Sequence, residues 1–346
     1  MKRSFLSLLI SAAISLPCFK ADACTRILYE TGGKNFLVGR TMDWMEDPGT
    51  DLWAFPKGLP RDGGVGPGSI KWTAKHGSIV SSFYNVGTVD GMNDSGLVAN
   101  ALYLVEADYG DAVASKKPKL SIGAWAQYAL DNYATVAEAV AALQKEPFVI
   151  IAPDLPGGQK AGGHLAIADA SVDSAIFEYL KGKLVIHHGP QYRVMTNSPS
   201  YDQQLAIDVY WKDVGGLKFL PGTARSADRF ARMSWNHNAA AKESDPRLAT
   251  AVTFSLIRAI SVPLGIADAE RPNIASTIWR TVSDTQARRY YFESAYSPAI
   301  FWVDLDKLNL APGAKPAKLD LRGRHILSGE VSDKFAPKEP FKFLSH

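Results

Sequence analysis

Strand-like runs in this sequence come in blocks, not singly between helices. Thr25 to Glu30 and Phe36 to Arg40 are β-prone, separated by the turn cluster Thr31-Gly32-Gly33-Lys34. After Pro56 to Gly68, a Pro/Gly-rich stretch that reads as a surface loop, strand signals resume at Ser78 to Tyr84 and Gly96 to Leu104. Helical spacing of alanines and apolar residues then marks Ile122 to Tyr133 and Thr135 to Lys145. Three further runs, His164 to Ala170, Ser174 to Leu180 and Lys183 to His188, are joined by short turns and read as an antiparallel meander. Helices return at Tyr201 to Val214, Ala224 to Asn236 and Leu248 to Ile260, and strands at Ser276 to Val282, Arg289 to Ser294 and Ile300 to Asp304. A Pro/Lys-rich tail from Leu310 to Lys318 follows and reads as a candidate assembly arm. Blocks of this kind predict an α+β fold in which antiparallel sheets are covered by helical layers.

The first 23 residues stand apart from that pattern. Lys2 and Arg3 precede an apolar run from Phe5 to Leu16, too short to remain as a span, and Ala21-Asp22-Ala23 is a small-x-small cleavage signal. Residues 1–23 therefore read as a signal peptide, and 24–346 as one large domain of an exported, periplasmic protein without stable membrane insertion. Cleavage would make Cys24 the first residue. Cys18 leaves with the leader, so the mature chain holds one thiol and no internal disulfide.

Composition excludes several classes. The formal charge of +3 falls to +1 without the leader, which argues against nucleic acid as a partner. The seven histidines show no ligand spacing and no second thiolate accompanies them, so no metal is expected. Gly63, Gly64, Gly66 and Gly68 do not join a strand to a helix, which disfavours a dinucleotide site. His187-His188 lies on a predicted strand, where adjacent side chains point to opposite faces; a strand-surface role outweighs catalysis. No cofactor is called for.

Chemistry concentrates at the new N-terminus. A thiol reacts as thiolate, with an ordinary pKa of about 8.5. The α-amine of the same residue titrates at roughly 7.7 to 8.0, so it can take the thiol proton and later deliver it to a leaving amine. One residue would then supply both nucleophile and base, without a Cys/His/Asn triad. Arg40 would lower the pKa values of thiol and ammonium, and Asp43 would hydrogen-bond and orient the ammonium; the plainer alternative is a surface Arg/Asp pair in a turn. The other reading of position 24 is a lipidated cysteine on a membrane-tethered binding lipoprotein. Asp22 beside Ala23, and the lack of Leu at the third position before the cysteine, argue against that lipobox.

Several segments in order along the chain carry a resemblance. Cys24-Thr25-Arg26, Gly39-Arg40-Thr41-Met42-Asp43-Trp44, Asp90-Gly91-Met92-Asn93-Asp94-Ser95-Gly96-Leu97, Met195-Thr196-Asn197-Ser198-Pro199, and Leu220-Pro221-Gly222 through Ser226-Ala227-Asp228-Arg229-Phe230 together resemble the choloylglycine hydrolase family. That family contains bile salt hydrolases and penicillin V acylases. The resemblance implies an N-terminal nucleophile hydrolase with a four-layer αββα sandwich, cutting linear amide bonds through an acyl-thioester. It also implies roles: Cys24 as nucleophile, Arg40 and Asp43 as its polar supports, Asn197 as an oxyanion-hole donor, and Arg229 as a charge holding the site together. By residue type alone, Asn197 reads equally as a turn residue and Arg229 as a solvated helix charge. Tyr103 falls on the second oxyanion-hole position, where its backbone N–H would serve.

An aromatic at position 103, with Trp44 beside Asp43, is similar to the Gram-negative penicillin V acylase branch more than to typical bile salt hydrolases. Trp44 and Tyr103 would then form an apolar slot for a phenoxyacetyl group or an acyl chain, unless they are simply core aromatics. The expected partner is a small N-acyl amide. N-acyl homoserine lactone acylase is the runner-up activity and bile salt hydrolase the third, and the resemblance further implies a homotetramer.

Overall fold

The computed structural model describes residues 24–345 apart from 157, 159, 267–274 and 324. The expected leader lies outside the described residues. Two large sheets form the centre. One has seven strands and carries β1 (Thr25–Glu30) beside β2 (Phe36–Trp44), followed outward by Ser276–Asp284, Arg289–Ser294 and Ile300–Asp304. The other has nine and runs from Lys183–His188 through Ser174–Leu180, Gly163–Ala168, Val98–Tyr103, Gly87–Asn93 and Ser78–Phe83 to Leu52–Phe55. Apart from the parallel pairing of Ile300–Asp304 with Gly329–Glu330, the seven-stranded sheet is antiparallel.

Helices α1 (Ile122–Asn132) and α2 (Val136–Leu143) cover the nine-stranded sheet; α3 (Tyr201–Val214), α4 (Ser226–Ala239) and α5 (Pro246–Ala259) lie on the other side, where α4 and α5 pack on β1 and β2. The result is the layered αββα arrangement. Its main core, with Leu28, Val38, Met42, Ala166 and Ile176, sits between the sheets, and a second, around Trp53, Leu165, Phe177 and α1, fills the space under the helices. Both faces of β2 are buried, so its nine residues show no polar alternation. At Gly39 α5 leaves no room for a side chain: a Cβ there would lie 2.8 Å from Ile257 and 3.0 Å from Thr253.

Boundaries moved where caps or tertiary pairing decide. Asp245 accepts from the N–H groups of Arg247 and Leu248, with Pro246 at the first turn, so α5 starts ahead of the expected Leu248. β2 runs four residues past the expected end at Arg40, because Ser276–Asp284 pairs along it to Trp44. Strands Leu52–Phe55 and Gly87–Asn93 lacked a clear sequence signal. At the end of the Leu310-to-Lys318 tail, Ala317–Leu319 pairs with Leu52–Phe55 as a strand of the same chain's sheet. No helix among the described residues is long and apolar enough to cross a membrane.

Candidate active site

Strand alternation on β2 sorts the site into two faces. Arg40, Met42 and Trp44 point between the sheets, while Thr41 and Asp43 point toward the helices. Cys24, just ahead of β1, bridges the two. Its Sγ lies 3.9 Å from Met42 Sδ on the inter-sheet side, and its backbone is gripped from the helix side, where Arg229 Nη1 donates to its carbonyl at 2.8 Å. The Cys24 N–H donates to Asn197 Oδ1. In the continuous chain that nitrogen is a peptide N–H and stands in for the α-amine.

Arg229 is fully buried in α4, the opposite of a solvated helix charge. Its fork also donates to Thr25 Oγ1, to Asn197 Oδ1 at 3.2 Å and to the Ala224 carbonyl at 3.0 Å, with Asp43 Oδ2 at 3.8 Å. Asp43 accepts from Thr41 Oγ1 at 3.2 Å and from its cross-strand neighbour Thr277 at 2.6 Å. Burial pushes its carboxyl up to about 6, against the pull of Arg229 and the two threonines. In the continuous chain the Cys24 N–H goes to Asn197 Oδ1, while the bond expected from Asp43 concerns the ammonium that only cleavage creates.

Arg40 and Asp43 are not a pair. Three residues apart on a strand, they project to opposite faces. Arg40 donates to Val89 O at 2.5 Å and Ala101 O at 2.9 Å, with Asp90 at 3.5 Å and the Trp279 ring 5.0 Å away. Asp90 in turn accepts from Asn100, Thr281 and Tyr290, so the Asp90-to-Leu97 segment serves to tie the two sheets together. The Cys24 thiol is pushed up by burial, and Arg40 and Arg229 only partly offset this. Arg40 opposes the rise, by less than desolvation contributes.

Asn197 follows the short edge strand Val194–Met195, which pairs with β1. Its Nδ2 donates to Tyr103 O at 2.8 Å, leaving the second amide hydrogen for another acceptor. Its own N–H donates to Ser226 Oγ at 2.8 Å, and Gln204 Nε2 holds its carbonyl. Leu104 N donates to Gly162 O, so ladder alternation turns the Tyr103 N–H away from strand Gly163–Ala168, to the side of its own carbonyl and Asn197.

A cleft opens beside Cys24. Its walls include Arg40, Met42, Trp44, Phe83, Tyr103 and Leu344. Trp44 meets Phe83 edge-on at 5.1 Å and Tyr103 at 6.0 Å, and donates from Nε1 to Tyr84 Oη at 2.9 Å. All six residues expected at the catalytic centre, with Trp44, therefore gather around one thiol. His187 and His188 lie elsewhere: His187 packs on Tyr192 and Tyr201, and His188 bonds Asp173 at 2.8 Å. Sequence reasoning missed Thr41, Thr277, Gln204 and Ser226. The first two follow from strand register once β2 is extended; Leu344, brought from the far C-terminus by its N–H to Val86 O at 2.7 Å, carried no sequence signal. No group of three or more His, Cys, Asp or Glu suited to a metal ion occurs among the described residues.

Comparison with known proteins agrees with this geometry. The family model for linear amide C–N hydrolases of the choloylglycine hydrolase family matches residues 24–324. A penicillin V acylase of Pectobacterium atrosepticum is 46% identical, over 98% of this chain and 95% of its own. The structure of penicillin V acylase from Agrobacterium tumefaciens superposes with a TM-score of 0.87 at 50% identity, covering 93% of this chain and 100% of that one. A conjugated bile acid hydrolase of Clostridium perfringens, 19% identical with a TM-score of 0.74 over 89% of this chain and 98% of its own, shares the fold. The chain is a linear amide hydrolase and belongs to the choloylglycine hydrolase family.

Proposed function

We propose that the chain is exported to the periplasm, cleaved before Cys24, and acts there as an acylase of the penicillin V type. The observation that carries this reading is Cys24 itself, held by Asn197 and Arg229 at the edge of an aromatic-walled cleft. A family match that begins at residue 24 supports the same boundary. Once freed, the α-amine takes the thiol proton, and Sγ attacks the amide carbonyl. The negative charge developing on oxygen meets the remaining Asn197 amide hydrogen and the Tyr103 N–H, each such donor being worth about 2.7 to 4 kcal/mol. The amine departs with the proton held by the α-ammonium, leaving an acyl-thioester. Water then gives its proton to the α-amine and attacks the thioester, releasing the acid and restoring the thiol. Burial that raises the thiol favours the neutral resting form, so a base on the same residue suits this site.

The aromatic lining of the cleft by Trp44, Phe83 and Tyr103 supports phenoxymethylpenicillin as a substrate, its phenoxyacetyl group lying against those rings. Side-by-side rates on phenoxymethylpenicillin, a long-chain N-acyl homoserine lactone and glycocholate order the three candidate activities; glycocholate as the best substrate would overturn the assignment. Cys24→Ala abolishes turnover on this mechanism, and full activity in that variant would refute it. Intact mass of the exported protein separates a free Cys24 N-terminus from a lipidated one. Exposed apolar side chains on and after α3, namely Val209, Tyr210, Leu217 and Phe219, support assembly into a homotetramer, which sedimentation would test.

A further inference from the structure

The cleft wall contains a buried polar side chain that the reaction above does not use. His164 lies on the strand Gly163–Ala168, on the face shared with Ala166 that looks between the sheets. Its cross-strand neighbours are Leu102, next to Tyr103, and Glu178. Both His164 and Glu178 are completely buried. His164 Nδ1 is 2.9 Å from Glu178 Oε1, and Glu178 is itself fixed by the Tyr201 N–H at 3.0 Å. His164 Nε2, by contrast, is buried without a hydrogen-bond partner among the described residues, and His164 is one of the residues lining the cleft that Cys24, Trp44 and Tyr103 also line.

A buried polar atom left without a partner costs roughly 1–3 kcal/mol, so a chain that only needed to fill this wall would gain by using an apolar residue. Glu178 holds the ring in one orientation through Nδ1, which leaves Nε2 as the imidazole nitrogen open to a further partner. We propose that His164 is a specificity-determining residue that recognises a hydroxyl group on the acyl part of the substrate. A hydroxyl suits Nε2 in either charge state. It donates to the lone pair of neutral imidazole and accepts from Nε2–H of imidazolium, whereas an ether or ketone oxygen satisfies only the latter. The preferred substrate class is then an N-acyl amide whose otherwise apolar acyl chain carries one hydroxyl.

This inference rests on the acylase reading, because it takes the cleft as the acyl slot. The experiment uses the mature enzyme and amides of one amine with octanoic acid, either unsubstituted or carrying a single hydroxyl at each carbon from the second to the sixth. At least one hydroxylated isomer is expected to exceed the unsubstituted chain by about tenfold in kcat/KM. In His164→Phe the ratio of kcat/KM between the hydroxylated and unsubstituted amides falls to parity, whatever the absolute rate on the octanoyl amide. His164→Gln, which restores an amide hydrogen-bonding group near Nε2, is expected to recover part of it. Parity of all isomers in the wild type would overturn the proposal, as would a preference that survives His164→Phe. Failure to cleave the unsubstituted amide at all would instead count against the acylase reading. If His164→Phe fails to fold, Glu178→Gln takes its place: the ring loses its charged anchor, and the hydroxyl preference is expected to shrink.

Discussion

Two buried arginine–aspartate pairs in this molecule are built from the same side chains and do different things. Arg61 and Asp131 meet directly, Nε to Oδ2 at 3.1 Å, between a short strand and α1. Asp131 also accepts from Trp72 Nε1 at 2.8 Å and Gln127 Nε2 at 2.7 Å, and the Arg61 guanidinium lies 4.1 Å over the Phe55 ring. Arg229 and Asp43 stand off at 3.8 Å. In both pairs burial raises the carboxyl and lowers the arginine, with the partner opposing each shift. The difference lies in where the remaining donors go. Those of Arg229 go to the backbone carbonyls of Cys24 and Ala224 and to Asn197. A pair in direct contact joins two elements, while an offset pair leaves the guanidinium fork to fix the nucleophile.

The largest expected effect tests the joining pair. Arg61→Met leaves Asp131 buried and uncompensated, and is expected to cost about 3–5 kcal/mol of stability by denaturant unfolding. Activity per folded molecule should stay unchanged, and the double variant Arg61→Met with Asp131→Leu should recover most of the loss. A fall in kcat per folded molecule would break the contrast between the pairs. Arg229→Lys tests the other side. A point charge near Asp43 is kept and the fork is lost, so Cys24 is no longer held in register with Asn197. kcat is expected to drop on the order of 100-fold with KM little altered, and equal losses in both parameters would mean that Arg229 contacts substrate instead.

Most of the layer order was legible because it rests on hydrophobic period and turn chemistry. Tyr201–Val214, Ser174–Leu180 and Arg289–Ser294 have the bounds read from sequence. What escaped detection depends on tertiary pairing. Leu52–Phe55 and Ala317–Leu319 complete each other as strands across the length of the chain, and neither is convincing alone. The same holds at the site. Family motifs named the residues that gather at Cys24, whereas the face to which each turns depended on β2 continuing to Trp44, which sets Arg40 and Asp43 on opposite sides of the strand. Ser226, in the first turn of α4, does not cap the helix; its hydroxyl accepts from the Asn197 N–H, a contact that depends on tertiary packing.

The smallest effect examines the offset pair through its proton. Asp43 titrates at about 6, so below that pH the carboxyl is neutral and no longer balances Arg229 or the α-ammonium. kcat/KM on a neutral acyl amide is therefore expected to fall on an acid limb near pH 6. Thr277 Oγ1 donates to Asp43 at 2.6 Å and favours the ionised form. Removing it in Thr277→Val raises the carboxyl further, moving the limb up by about one pH unit, equivalent to about 1.4 kcal/mol. Thr277→Ser keeps the hydroxyl and is expected to leave the limb in place. Stability has the corresponding sign: the folded chain holds this proton more tightly than the unfolded one, whose carboxyl titrates near its ordinary 3.8. The stabilisation from the neutral carboxyl is complete below that value and is lost as pH rises toward about 6. In Thr277→Val the loss extends to higher pH. The Arg61–Asp131 pair is unaffected by either substitution, so a limb that shifts equally in Arg61→Met would show that it reports on global unfolding and not on Asp43.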